Sequence, residues 1–263
     1  MWTVTCERVK EGGKTMKYYG LSDIGLIRDT NQDSFFCAHN ENGEYFAVVC
    51  DGIGGGKAGD VASKIAVDVL KSEFLNRTCE LDDCKNSEWI KQIVHKANEA
   101  IYTDSLTSKK KHGMGTTLVG VLITPVKTYV FHLGDSRMYG VYDTEFVCLT
   151  EDHNLAADLI RSNEMSEDEA LHHPNAKALT NALGIWNKYR IDINIVKEGY
   201  DALLLCSDGL YGYVNEDIIL NIIHSETKIE EKVHALIQVS NATGGFDNIT
   251  AILIERKGGY AHG

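Results

Sequence analysis

Proline is almost missing from this chain: 263 residues hold two, Pro125 and Pro174. No stretch is rich in Ser, Pro or Gly, and no repeat or low-complexity segment interrupts the sequence. Nothing therefore reads as an interdomain linker, and one domain over 1–263 is the simplest organisation. No apolar run approaches the roughly 20 residues that a membrane span needs. Met1 to Lys14 contain neither an apolar core nor a cleavage site, so no signal peptide is expected. Positive charge is scarce as well. The 26 Lys and Arg stand against 38 Asp and Glu, a formal net charge of −12. No basic block reverses that balance, which argues against nucleic acid as a partner. The seven cysteines form no Cys-x-x-Cys pair. Cys37, Cys50, Cys148 and Cys206 sit in apolar runs, where a free thiol acts as a small hydrophobe. A reducing compartment, the cytoplasm, is expected.

What is present is a regular alternation of strand and helix signals. Strands are predicted at 17–21, 34–38, 44–50, 117–123, 128–133, 137–141, 145–149, 191–196, 202–206 and 249–255, mostly with short separations that indicate antiparallel hairpins. Val61, Ala62, Ile65, Ala66, Val69, Leu70 and Phe74 recur at helical spacing, as do Ile90, Ile93, Val94, Ala97 and Ile101. A second helical block covers 215–223 and 228–239. Helical pairs between runs of hairpins imply an α+β fold, a four-layer α/β/β/α sandwich of two antiparallel sheets flanked by helical pairs. The tails up to Thr15 and from Lys257 onward read as loose. Residues 154–184 have weak periodicity and lie between two strands. They read as an excursion from the sheet, either a plain surface loop or a flap over a site.

Four aspartates are placed where apolar runs give way to turns: Asp51 after Tyr45 to Cys50, Asp135 after Val130 to Gly134, Asp208 after Leu203 to Ser207, and Asp247 just before Ile249 to Ile254. Carboxylates gathered at one sheet edge need cations. Hard oxygen donors suit Mg²⁺ or Mn²⁺ rather than zinc, and a pair of such ions can hold a phosphate and acidify a water. The acids alone fit a nuclease, a phosphatase or a simple cation site. Arg28 narrows this. A loop arginine is ordinarily a surface charge, but beside a metal cluster its planar fork is the expected clamp for two phosphate oxygens.

Other phosphate schemes are excluded by what is missing. No cysteine is followed six positions later by arginine, and there is no Asp-x-Asp. Gly52 to Ala58 lacks the hydroxyl residue and the glycine spacing of a nucleotide phosphate loop. Its glycines allow a sharp turn that would expose the Gly52 carbonyl to a metal.

In order, the motifs are Arg28-x-x-Asn31-Gln32-Asp33, Asp51-Gly52-Ile53-Gly54-Gly55, Gly115-Thr116-Thr117, Gly134-Asp135-Ser136-Arg137, Thr150-Glu151-Asp152-His153, His173-Pro174, Ser207-Asp208-Gly209-Leu210 and Asp247-Asn248-Ile249-Thr250. This series resembles the metal-dependent Ser/Thr protein phosphatases, the protein phosphatase 2C-like or PPM family, and its bacterial-type branch in particular. The resemblance covers residues 17–255. It implies a centre of two Mn²⁺ or Mg²⁺ ions bridged by Asp51, with the Gly52 carbonyl on one ion and Asp208 and Asp247 on the other. A third ion sits near the position of Asp135 in bacterial members. It further implies that Arg28 binds phosphate, that Asp33 supports the metal shell, and that residues 154–184 are the family's variable flap. Two positions depart from the pattern. Gln32 stands where many members have Glu, in reach of a metal-bound water. Ile53 stands where eukaryotic relatives carry a histidine thought to protonate the leaving group. His132 and His153 are read as a strand-interior residue and a structural hydrogen-bonding residue.

The implied activity is hydrolysis of phosphoserine and phosphothreonine on proteins by a metal-activated water, without a covalent phosphoenzyme. The implied partners are phosphorylated proteins made by a Ser/Thr kinase, met by a monomer with no membrane or nucleic-acid contact. The alternative is a catalytically silent phosphatase-like module that binds phosphoproteins.

Overall fold

The computed structural model describes residues 2–4, 8–11, 14–53, 58–78, 82–185 and 189–257. The chain begins with strands β1 (Trp2–Val4), β2 (Arg8–Glu11), β3 (Lys14–Asp23), β4 (Asp33–His39) and β5 (Tyr45–Ile53). Helices α1 (Gly59–Leu75) and α2 (Asp83–Ser105) follow. Then come β6 (Gly115–Thr116), β7 (Leu118–Ile123), β8 (Thr128–Leu133), β9 (Arg137–Tyr142) and β10 (Glu145–Cys148). Two short helices, α3 (Leu155–Arg161) and α4 (Glu167–Leu171), precede β11 (Asp192–Ile195) and β12 (Ala202–Cys206). The last elements are α5 (Asp208–Tyr211), α6 (Glu216–His224), α7 (Ile229–Ala242) and β13 (Ile249–Lys257).

One antiparallel sheet runs β1-β3-β13-β12-β9-β10, with β2 also on β3; the other runs β11-β8-β7-β5-β4, with β6 on β5. Alternation along each strand builds the layers. Phe46, Val48 and Cys50 point into the core beneath α1 and α2, among Leu70, Phe74, Ile93 and Phe131. Tyr45, Ala47 and Val49 point the other way, into the core between the sheets. On the β12 strand of the first sheet, Leu204 and Cys206 pack under α6 and α7, while Leu203 and Leu205 face the other sheet. Three apolar interiors therefore separate four layers, the α/β/β/α sandwich expected from the sequence.

Three expectations change. The N-terminal segment is not loose throughout, because β1 pairs with Gly20 to Ser22 and β2 with Lys14 to Lys17. These pairs cover the outer edge of β3, whose unpaired N–H and C=O groups would otherwise face solvent. At the other end, β13 extends to Lys257. Cys148 is exposed, unlike the buried Cys37, Cys50 and Cys206, because β10 lies at a sheet edge. Finally, Asp51 is not at the end of β5. The strand continues through Gly52 and Ile53, which pair with Thr116 and Gly115.

Candidate functional site

Register places the first two acids. Asp51 follows Val49 by two residues and so stays on the inter-sheet face of β5. Asp33 lies directly opposite it on β4. Like charges in facing positions repel, and Asp33 is shielded from water, 8% exposed. Asp33 Oδ2 accepts hydrogen bonds from Ser207 Oγ and Thr250 Oγ1, each 2.7 Å. Its Oδ1 is buried without a partner. Thus one oxygen of Asp33 is tied to the opposite sheet and the other is left over.

The remaining acids surround this pair. Burial, and then the charges of Asp33, Asp208, Asp135 and Asp247, push the Asp51 carboxyl well above its ordinary range. Asp208, at the start of α5, is raised by burial and by Asp247. Asp135, in the turn between β8 and β9, is pushed up to about 7 by burial and by Asp208 and Asp152. The structure therefore brings together all four aspartates singled out in the sequence, with Asp33 as a fifth. Such a group can ionise as a whole only when cations neutralise it.

The backbone around these acids is locked. Asp51 N–H donates to Thr117 Oγ1 at 3.0 Å, and Asp51 C=O accepts from Thr117 N–H and Thr116 Oγ1, each 2.9 Å. A Cβ on Gly52 would lie 2.3 Å from Gly59 O and 2.7 Å from Gln32 O. Only glycine fits between α1 and the Gln32 loop, with its main chain next to Asp51. The Gln32 amide reaches towards Gly59, with Nε2 3.1 Å from where a Gly59 Cβ would stand. Gly54 to Lys57, the rest of that glycine run, lie outside the described residues.

Arg28 is half-exposed, and its Nη2 donates to Asp247 Oδ2 at 2.7 Å. The hydrogen bond to Asp247, with further attraction from Asp208 and Asp51, holds the guanidinium charge firmly. The arginine is thus a counter-charge to these acids. Asn248 fixes the loop that carries it: Asn248 Oδ1 accepts from Gln32 N–H at 2.8 Å, and its Nδ2 donates to Ile24 O and Thr30 O at 2.9 and 3.0 Å. Tyr211 OH donates to Asp135 O at 2.7 Å. Arg137 lies over the Tyr211 ring and makes a two-pronged pair with Asp152 at 2.8 and 2.9 Å. The positioning roles of Asn248, Tyr211, Ser207 and Thr250 were not readable from the sequence. Their partners lie up to 224 positions away.

A second group of donors lies on His132, His153 and Asp192. Among the described residues, the three metal-type donors within 4.8 Å of one another are on these side chains, not on Asp51, Asp135, Asp208 or Asp247. His153 Nδ1 accepts from the Asn181 amide at 2.8 Å and from Gly134 N–H at 3.3 Å. Its Nε2 therefore carries the proton and donates it to Asp192 Oδ2 at 3.1 Å. Arg190 neutralises the other oxygen of Asp192 at 3.1 Å. Burial lowers both histidines below their usual range. His153 and Asp192 form a hydrogen-bonded brace between the Gly134 turn and the return strand of the 154–184 excursion, while His132 Nε2 donates to Glu151 O at 2.8 Å. His153 thus makes the structural hydrogen bond, and His132 the strand-interior contact, read from the sequence.

The raised carboxyls give a stability prediction. A carboxyl whose folded pKa exceeds its unfolded value stabilises the fold at low pH, and that contribution is lost as pH rises through the folded value. For Asp135 the window runs from about 4 to about 7. In metal-stripped protein, Asp135→Asn should melt close to wild type at pH 4 and several degrees above it at pH 8. Adding Mn²⁺ should shrink the pH 8 gap. Scanning calorimetry at both pH values checks this.

The donor set and its geometry can be set beside known proteins. The Protein phosphatase 2C family profile matches residues 28–253. The serine/threonine phosphatase Stp of Listeria welshimeri is 36% identical over 237 residues, 90% of this chain and 94% of that protein. Protein phosphatase PhpP of Streptococcus pneumoniae is 31% identical over 89% of this chain and 95% of its own length. The crystal structure of serine/threonine phosphatase Stp1 from Staphylococcus aureus superposes with a TM-score of 0.85 at 31% identity, covering 92% of this chain and 95% of that one. With a profile spanning most of its length and relatives matching about nine-tenths of it, this chain belongs to the protein phosphatase 2C family.

Proposed function

We propose that this chain is a metal-dependent phosphoprotein phosphatase that hydrolyses phosphoserine and phosphothreonine. The observation that carries the proposal is the facing pair Asp33 and Asp51, enclosed by Asp135, Asp208 and Asp247, with one arginine at the mouth. Asp51, the Gly52 carbonyl, Asp208 and Asp247 would hold two Mn²⁺ or Mg²⁺ ions, and Asp135 with Asp208 a third. The orphaned Asp33 Oδ1 and the mutual repulsion of the acids fit a divalent group with water around it. Bound ions supply Lewis acidity towards phosphate and water, which generates the nucleophile at neutral pH.

The chain's own residues do the rest. Arg28 exchanges Asp247 for the incoming phosphoryl group and presents two N–H donors to its oxygens. Asp33 Oδ1 and the Gln32 side chain are free to orient water beside the acids. Ile53 offers no proton to the departing serine oxygen, so that proton comes from water. The 154–184 excursion, carrying α3 and α4, is anchored to the site by reciprocal bonds between Thr116 and Leu183, 3.1 and 2.9 Å. It acts as the flap. The free thiols among the described residues and the acidic charge suit a cytoplasmic monomer acting against a Ser/Thr kinase. A silent binding module would be expected to have lost an aspartate or Arg28, and all of them are present.

The test is hydrolysis of para-nitrophenyl phosphate and of a phosphothreonine peptide, with metal-stripped protein given increasing Mn²⁺. Both should be turned over in a saturable, Mn²⁺-dependent way. Absence of turnover at high protein and metal would favour the silent module.

A further inference from the structure

Beside the acids the surface is apolar, and nothing in the catalytic reading uses it. Leu26 is 66% exposed, Ile27 63% and Phe246 51%. Single exposed apolar side chains are ordinary, but these three come from two turns locked back to back. Leu26 N–H and Ile27 N–H both donate to Gly245 O, at 2.8 and 3.2 Å. Gly25 and Gly245 adopt positive φ, 79° and 54°, and a Cβ on Gly25 would lie 2.2 Å from Asp247 O. The apolar side chains are therefore held out by rigid backbone rather than by a loose loop. The patch continues through Phe246, whose ring meets Tyr213 at 5.5 Å. Lys177, from the flap, lies 5.6 Å from the Tyr213 ring and is close enough to Asp208 to draw its carboxyl down.

Position in the chain decides what this shelf faces. Ile27 immediately precedes Arg28, and Phe246 immediately precedes Asp247. Its register to the phosphate clamp is therefore covalently fixed. Contiguous apolar surface at a binding site marks a partner contact, and the partner at this mouth is the polypeptide that carries the phosphate.

We propose that Leu26, Ile27 and Phe246 form a docking shelf for an apolar side chain within one or two residues of the phosphorylated serine or threonine. This deepens the phosphatase assignment and rests on it. The cations Arg28 and Lys177 at the edges of the shelf take the phosphate charge, and the apolar surface between them takes the neighbouring side chain. Selection is thus for phosphoproteins with apolar rather than polar flanks. None of the three shelf residues touches the reacting atoms. They act on peptide substrates and not on a small phosphate ester.

The experiment compares two phosphothreonine peptides, identical except that the flanking residues are Leu and Phe in one and Ser and Asn in the other. Para-nitrophenyl phosphate is the third substrate. Wild type should favour the apolar peptide by about tenfold in kcat/KM, a size typical of one side chain in an apolar site, and chiefly through KM. Ile27→Ser, and Ile27→Ser with Phe246→Ser, should erase that preference. Turnover of para-nitrophenyl phosphate and the melting temperature should stay unchanged. Equal rates on both peptides in wild type would overturn the shelf. So would a preference that survives in the variants, or a parallel loss on all three substrates. Failure of the phosphatase assignment itself would look different: wild type would turn over none of the three.

Discussion

Asp51→Asn is expected to lower Mn²⁺-dependent turnover of a phosphothreonine peptide by at least ~10³-fold, about 4 kcal/mol of barrier. The substitution keeps the shape of the side chain and removes its charge. The backbone of Asp51 is fixed independently by Thr116 and Thr117, so the strand has no reason to move. Removing one of two facing carboxyls also relieves the repulsion with Asp33. The metal-stripped variant should accordingly melt no lower than wild type at pH 8. Loss of activity together with undiminished stability assigns Asp51 to the chemistry. A folded variant within tenfold of wild-type turnover would remove it from the centre.

Arg28→Ala should lower kcat/KM by about 10²–10³-fold, the loss typical of one well-placed donor to transition-state charge. The structure adds a second expectation. Because Arg28 is bonded to Asp247, its removal frees a carboxylate and takes away a competing cation. Mn²⁺ affinity should therefore hold or rise while activity falls. Arg28→Lys should recover only part of the rate, since a lysine carries the charge but not the planar fork. Isothermal titration with Mn²⁺, run beside steady-state kinetics, separates the two roles. A parallel loss of metal binding and activity would make Arg28 a support for the acids instead of a phosphate clamp.

Much of the frame was legible because strand signals and turn residues coincide. β8 and β12 have the predicted bounds, each an apolar run stopped by Gly134 or Ser207. The helical pairs were legible from their apolar stripes, because one face of each is buried. α3 and α4 were not, because they are set mainly by their ends. Asn154 caps the first, and Ser166 with Glu169 forms a reciprocal capping box on the second. That Ser-x-x-Glu signal is the one local mark of α4 in the sequence. α5 has four residues, too few for any periodicity.

At the site, turn-side aspartates could be picked out because an acid after a buried run is an expensive place for a charge. Their convergence could not be read locally. Asp33 faces Asp51 only because β4 and β5 pair in one register, and a slip of one residue would turn either side chain to the helix face. Likewise nothing near Asn248 in sequence indicates that it holds the Arg28 loop, or near Tyr211 that it holds the Asp135 turn. These are contacts between segments brought together by the two sheets.

The most direct measurement is a Mn²⁺-soaked crystal with an anomalous difference map. Two strong peaks are predicted among Asp51, the Gly52 carbonyl, Asp208 and Asp247, with a weaker third near Asp135, and Arg28 turned away from Asp247. Manganese bound instead at His132, His153 and Asp192, with the aspartates empty, would contradict the assignment of the metal centre.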